Sequence, residues 1–268
     1  MSSNQRGPLL AIGGAEDKLR ERLILRRFVE LSGGERARIA IIPTASGIVE
    51  AGERYVHIFH EFGAGRAEIV NVRDQQDAND NRLANIVERS SGVFMTGGNQ
   101  VRMSSILGGT RVASVIQCAN ASGVPVAGTS AGASAMSAIM VAGGKRGRTP
   151  RANMVQMAPG LGLINSLIID QHFRERDRVA RLLTMVSYNP GLIGIGIDED
   201  TAALIWPDDT MEVIGKGSVM IVDGSQLTSD IFAKRGNSPL TITNAFVHFV
   251  ASGGIFDLGK RKPVAVRW

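Results

Sequence analysis

The sequence predicts an α/β fold: a mostly parallel sheet covered by helices on both faces, followed by a β-rich C-terminal part. Three observations predict it. Continuous apolar runs alternate with amphipathic helical segments through the first half of the chain. Most of these runs end in a glycine pair or in Pro-Thr, the punctuation of tight strand–helix turns. After about Leu192 the helical spacing gives way to short apolar strands with turn signals such as Pro207-Asp208-Asp209.

In chain order, Leu9-Leu10-Ala11-Ile12 reads as the first strand, ending in Gly13-Gly14, and Arg22 to Leu31 as the first helix. Arg38 to Ile42 is the next strand, closed by Pro43-Thr44; Val49 to Phe62 is a helix and Ala67 to Val72 a strand. Arg82 to Ser90 is a short helix, and Gly92 to Thr96 a strand ending in Gly97-Gly98. Ile193 to Ile197, Thr201 to Trp206, Met211 to Ile214 and Val219 to Val222 are the later strands. In such folds the chemistry gathers beyond the C-terminal ends of the parallel strands.

The chain has 268 residues, 44% of them hydrophobic, enough for one large core, and residues 1–268 are read as a single domain. The one cysteine, Cys118, excludes an intrachain disulfide and is expected as a small buried hydrophobe within a helix. No signal segment and no membrane-length apolar run is visible, so a cytoplasmic protein without membrane partners is expected. The net charge of +5 is scattered apart from the Gly-rich run at 143–151 and the arginines from Arg174 to Arg181. No aromatics interleave with them, which argues against nucleic acid. No G-x-G-x-x-G follows the first strand and no P-loop is present, which argues against dinucleotide and nucleotide-hydrolysing enzymes.

The chemistry-bearing segment is Val124-Pro125-Val126-Ala127-Gly128-Thr129-Ser130-Ala131-Gly132. It reads as a buried strand, a sharp turn and a helix, the setting in which G-x-S-x-G exposes a nucleophilic serine. Backbone N–H groups of Ala131 and of Gly97-Gly98 are candidates for stabilising an oxyanion. A serine nucleophile needs a base and the base an acid. His172 follows the apolar run Leu167-Ile168-Ile169, and one of Asp198-Glu199-Asp200, which follows another, is the expected acid. His57, His60 and His248 are read as surface, packing or sheet residues. The order Ser, His, acid differs from the α/β-hydrolase order and implies a different scaffold. Arg174, Arg176, Arg178 and Arg181 follow the histidine, with Asp177 as a helix cap; the alternatives are a carboxylate-binding pocket and a solvated helix face.

These segments, with Ile12-Gly13-Gly14-Ala15-Glu16-Asp17-Lys18, Ile42-Pro43-Thr44-Ala45-Ser46, Met95-Thr96-Gly97-Gly98-Asn99-Gln100, Asp170-Gln171-His172-Phe173 and Gly196-Ile197-Asp198-Glu199-Asp200-Thr201, resemble the cyanophycinases. These are serine exopeptidases in the clan of peptidase E, and the likeness spans almost the whole chain. It implies a flavodoxin/glutaminase-like topology, pairing as homodimers, and hydrolysis of cyanophycin, a poly-aspartate with arginine on each side-chain carboxyl, to β-Asp-Arg. It implies Ser130 as nucleophile, His172 as base and Glu199 as acid. Gly98 and Ala131 remain the oxyanion donors, and Gln100, Asp170, Gln171, Arg176, Arg178 and Arg181 match the family's substrate pocket. Asn99 and Arg174-Glu175 depart from the pattern beside the site. Acyl transfer of this kind needs no metal, and no cofactor is expected. The alternatives are a peptidase E-like aspartyl dipeptidase and a non-catalytic acidic-polymer-binding protein on the same fold.

Overall fold

Alternate residues of a strand point to opposite faces, and in the first apolar runs both sets are apolar, so both faces require cover. The structure, a computed structural model, describes residues 6–145 and 147–264. Strands β1 (Leu9–Ile12), β2 (Arg38–Ile42), β3 (Arg66–Ile69), β4 (Gly92–Met95) and β5 (Val126–Thr129) run parallel in the order β1-β5-β4-β2-β3. Helices α1 (Leu23–Leu31) and α2 (Glu50–Glu61) cover one face, packing Phe28, Tyr55 and Phe59 against Leu10, Ile12, Ile41 and Phe94. Helices α3 (Gln75–Ala78), α4 (Asn81–Glu88), α5 (Gln100–Leu107) and α6 (Arg111–Ala121) cover the other, setting Ala78, Val87, Met103 and Ile116 against Leu9, Ile42, Val93 and Met95.

Helix α7 (Ala131–Ser134) follows β5, and an antiparallel hairpin of β6 (Ile139–Gly144) and β7 (Val155–Pro159) flanks the Gly-rich basic run. Then come β8 (Leu167–Gln171), α8 (Val179–Tyr188), β9 (Ile193–Ile197), β10 (Thr201–Ile205), β11 (Thr210–Gly215) and β12 (Ser218–Asp223). The remaining strands are β13 (Thr228–Ser229), β14 (Ile242–Thr243), β15 (Phe246–Ala251), β16 (Ile255–Asp257) and β17 (Lys262–Pro263).

Most of the C-terminal strands divide between two sheets, while β13 and β14 pair only with each other. Strands β10, β11, β16 and β17 extend the parallel core antiparallel beyond β1 into nine strands. Strands β15, β12, β9 and β8 make a separate four-stranded sheet, in which β8 and β9 are parallel. The chain crosses from the small sheet to the large one through the three residues Asp198-Glu199-Asp200 between β9 and β10. No helix among the described residues is long and apolar enough to cross a membrane.

Two local expectations are corrected. Cys118 is exposed, not buried: α6 turns Val112, Ala113, Ile116 and Asn120 inward, and Cys118 falls outside that stripe. Asp177 does not cap α8: Arg178 holds the cap position without a side-chain bond, and Asp177 is in the left-handed region at φ 50°.

Candidate active site

The end of β5 must reverse into α7 within one residue. Ser130 makes that turn at φ 51° and ψ −111°, a conformation L-residues rarely hold. Bare glycines permit it. A Cβ at Gly128 would lie 2.5 Å from the Gly132 carbonyl, and one at Gly132 would lie 2.5 Å from the Met95 carbonyl oxygen. The Ser130 N–H donates to Ile12 O at 2.9 Å, fixing the elbow to the end of β1.

His172 and Glu199 come from the small sheet. Gln171 pairs with Ile197 in the β8–β9 ladder, so the two strands end level and release His172 and the acidic turn side by side. The Ser130 Oγ and His172 Nε2 lie 2.9 Å apart, and His172 Nδ1 lies 2.5 Å from Glu199 Oε1. The Gly13-Gly14 turn ties the two sheets together here. His172 N–H donates to Gly13 O at 2.8 Å and Asp200 N–H to Gly14 O at 2.9 Å. Gly14 has φ 96°, and a side chain there would collide with the imidazole. His172 is itself at φ 46°. Burial holds its pKa below the ordinary 6.5; the Glu199 bond opposes this, and the nearby Arg176 charge adds to the lowering.

The three acids are distinguished by their partners. Asp198 is buried, and its carboxylate accepts from Ser218 N–H at 3.1 Å, Ser218 Oγ–H at 3.0 Å and Arg174 N–H at 3.2 Å. Asp200 accepts from Asp17 N–H at 2.7 Å and pairs with Lys216 at 2.9 Å. Glu199 alone of the three reaches the histidine, while its N–H donates to Glu175 Oε2 at 3.2 Å.

Asp170 is fully buried on β8 and is engaged by two arginines. Arg181 grips it with two nitrogens, Nε at 2.6 Å from Oδ2, and Arg178 donates to Oδ1 at 3.2 Å and to the Gln171 carbonyl. Burial pushes the Arg178 guanidinium down to about 10, against the raising effect of Asp170. Arg178 and Arg181 are therefore neither a solvated face nor freely projecting groups. Arg176, in contrast, is exposed, and its N–H donates to His172 O at 3.2 Å. Gln171 Oε1 lies 3.4 Å from Ser130 Oγ. Gln100 donates from Nε2 to Val141 O at 2.8 Å and so clamps α5 to β6. The Gly98 and Ala131 N–H groups make no hydrogen bond among the described residues. Gly98 is at φ 145°, pressed against the Ala45 carbonyl where a side chain would not fit.

Two residues near the site carried no assigned role in the sequence reading. Glu175 supports Glu199 through the bond described above. Glu16 is buried beneath the elbow and accepts from the Thr129 hydroxyl at 2.6 Å, one residue before Ser130. Its only sequence signal is its place in Ile12-Gly13-Gly14-Ala15-Glu16-Asp17-Lys18.

A serine raised on a strand–helix elbow against a histidine, over a largely parallel sheet, is an arrangement of α/β hydrolytic enzymes. Residues 9–214 match the model of peptidase family S51, and the chain belongs to that family: it is a peptidase. It is 44% identical over 258 residues to a cyanophycinase of Trichormus variabilis, covering 94% of this chain and 86% of the relative. It is 42% identical over 268 residues to a cyanophycinase of Geminocystis herdmanii, covering 99% and 98%. Among solved structures it superposes on a peptidase from an acI-B1 Actinobacterium with a TM-score of 0.66 at 21% identity, covering 92% of this chain and 98% of that one.

Proposed function

We propose that this chain is a serine exopeptidase that hydrolyses cyanophycin to β-Asp-Arg through Ser130, His172 and Glu199. One observation carries the reading: the continuous path Ser130 Oγ, His172 Nε2, His172 Nδ1, Glu199 Oε1, with contacts of 2.9 and 2.5 Å. Its substrate side rests on the cyanophycinases to which the chain is 42–44% identical over most of its length.

In the mechanism, Ser130 Oγ attacks a backbone carbonyl of the poly-aspartate while its proton passes to His172 Nε2. The forming oxyanion meets the Gly98 and Ala131 N–H groups, which have no other partner among the described residues. Glu199 stabilises the imidazolium through Nδ1–H. Collapse breaks the C–N bond, and His172 returns the proton to the leaving amine. Water, deprotonated by the same histidine, then cleaves the acyl-enzyme. Arg176 is the accessible guanidinium for substrate carboxylates. Asp170 fixes Arg178 and Arg181 so that their edges, with Gln171 and Gln100, shape the pocket wall. The same reading treats residues 1–268 as one unit that works as a homodimer in the cytoplasm, with no nucleic-acid or membrane partner.

Purified protein incubated with cyanophycin should release β-Asp-Arg, identified by mass, and unbranched poly-aspartate should be a poor substrate. Ser130→Ala should lower turnover by about 10⁴ or more, a phosphonylating reagent should label Ser130, and EDTA should leave the rate unchanged. Loss in EDTA with recovery on adding a divalent metal would refute the mechanism.

A further inference from the structure

One buried carboxylate beside the elbow has no part in the proton path. The Glu16 side chain is 1% exposed, and both its oxygens are occupied. Oε2 accepts from Thr129 Oγ1–H at 2.6 Å; Oε1 accepts from the Tyr55 hydroxyl at 2.5 Å and lies 2.8 Å from Lys18 Nζ. Burial, and then the Glu16 charge, hold the Tyr55 hydroxyl well above its ordinary pKa, so it stays a donor. Burying a carboxylate is costly even when it is paired, and apolar side chains of similar volume are often as stable. Stability alone therefore does not account for an acid at this position.

Its place in the chain does. Residues 12–17 touch the surroundings of every member of the proton path. Ile12 O accepts from Ser130 N–H at 2.9 Å, and Gly13 O accepts from His172 N–H at 2.8 Å. Gly14 O accepts from the N–H of Asp200, next to Glu199, at 2.9 Å, and Asp17 N–H donates to Asp200 Oδ1 at 2.7 Å. Two successive left-handed residues, Gly14 at φ 96° and Ala15 at φ 48°, turn this segment so that Glu16 comes back against β5. The elbow needs such support. Ser130 is at φ 51° and ψ −111°, and a strained conformation persists only where its surroundings over-determine it. Two hydrogen bonds do so from the same segment: Ser130 N–H to Ile12 O, and the Thr129 hydroxyl to Glu16.

We propose that Glu16 is a positioning residue for the nucleophile: by holding Thr129 it ties the elbow to the segment that also holds His172 and the acidic turn, and so sets the approach of Ser130 Oγ to His172 Nε2. The charge stiffens the tie, because an ionised acceptor makes a shorter and stronger hydrogen bond than a neutral one. The inference rests on the catalytic reading above and adds to it a residue that touches neither substrate nor the reacting atoms.

The test removes the bond and restores it. Thr129→Val keeps the shape and loses the donor; Thr129→Ser keeps the donor. Thr129→Val should lower kcat by about tenfold, the scale of one hydrogen bond to a charged group, and leave KM within about twofold. Phosphonylation of Ser130 should slow by a similar factor at equal folded fraction. Thr129→Ser should recover most of both rates. Glu16→Gln should lower kcat in the wild-type background and add little to Thr129→Val, since the two residues act through one contact. Thr129→Ala replaces the valine variant in the same comparison if that variant does not fold. A lower urea midpoint with kcat and labelling per folded molecule unchanged would make Glu16 merely structural and overturn the proposal. Additive losses in the double variant, or a serine variant no faster than the valine one, would overturn it too. Hydrogen exchange at residues 128–132 reads the elbow without turnover: protection should drop in Thr129→Val and return in Thr129→Ser. A wild type that neither cleaves cyanophycin nor takes the reagent refutes the catalytic reading. The exchange pattern then decides the positioning by itself, and equal protection in all three proteins overturns it.

Discussion

The assignment of Glu199 makes a quantitative prediction. In Glu199→Gln the shape is kept and the charge removed, so the imidazolium formed during attack loses its counter-ion. Two unit charges about 4 Å apart at an effective dielectric of about 20 attract by roughly 4 kcal/mol. The Glu199 side chain is 34% exposed, so solvent screens part of this. A loss of about half remains, roughly 2 kcal/mol, or about thirtyfold in kcat. Affinity should be nearly unchanged, because the carboxylate faces the histidine. The assay is kcat and KM from β-Asp-Arg release, with binding measured on Ser130→Ala with and without the Glu199 change. Asp198→Asn should instead lower stability, since it weakens three hydrogen bonds that hold the turn to Ser218 and Arg174. If Asp198→Asn or Asp200→Asn lowers kcat more than Glu199→Gln at equal folded fraction, the carboxylate has been misassigned.

The remaining predictions concern pH and the buried charges. His172 works as a base when neutral, so kcat/KM should fall as pH drops through its lowered pKa. Arg176→Gln removes one cause of the lowering, so the acid limb should move to higher pH; an unmoved limb counts against the contact. Because the folded pKa lies below the unfolded one, the neutral imidazole favours the fold above pH 6.5, and that contribution should be lost as pH falls through and below it. Asp170→Asn strips the counter-charge from two arginines that are 9% and 8% exposed, and should cost about 3–5 kcal/mol in urea unfolding. A change under about 1 kcal/mol would show that the cluster is solvated after all.

The parallel core was legible because β1, β2, β4 and β5 are short apolar runs closed by glycine or Pro-Thr, and neither face tolerates water. Ser130 and His172 were legible because both stand directly after such runs. Which sheet a run joins was not legible. Strands β8 and β9 are as uniformly buried as β1 and β5, and burial alone does not choose between partners. Arg178 and Arg181 left two readings open in the sequence, because their counter-charge, Asp170, arrives from the neighbouring strand. Cys118 was misplaced by the phase of one helix. Glu16 gave no periodic signal at all: its meaning lies in a threonine 113 positions away.

The acidic turn between the two sheets leaves no slack in the site. Ile197 is held in the small sheet and Thr201 in the large one, and only three residues separate them. A slip of one strand position moves a residue by about 3.4 Å and reverses its facing, whereas a hydrogen bond tolerates a few tenths of an ångström. The carboxylate therefore acts as a gauge of how the sheets are seated. On the proposed mechanism, a molecule whose small sheet has loosened from the large one keeps Ser130 on its elbow but loses His172 and Glu199 and should be inactive. By the same proposed mechanism, hydrolysis requires both sheets to be seated together.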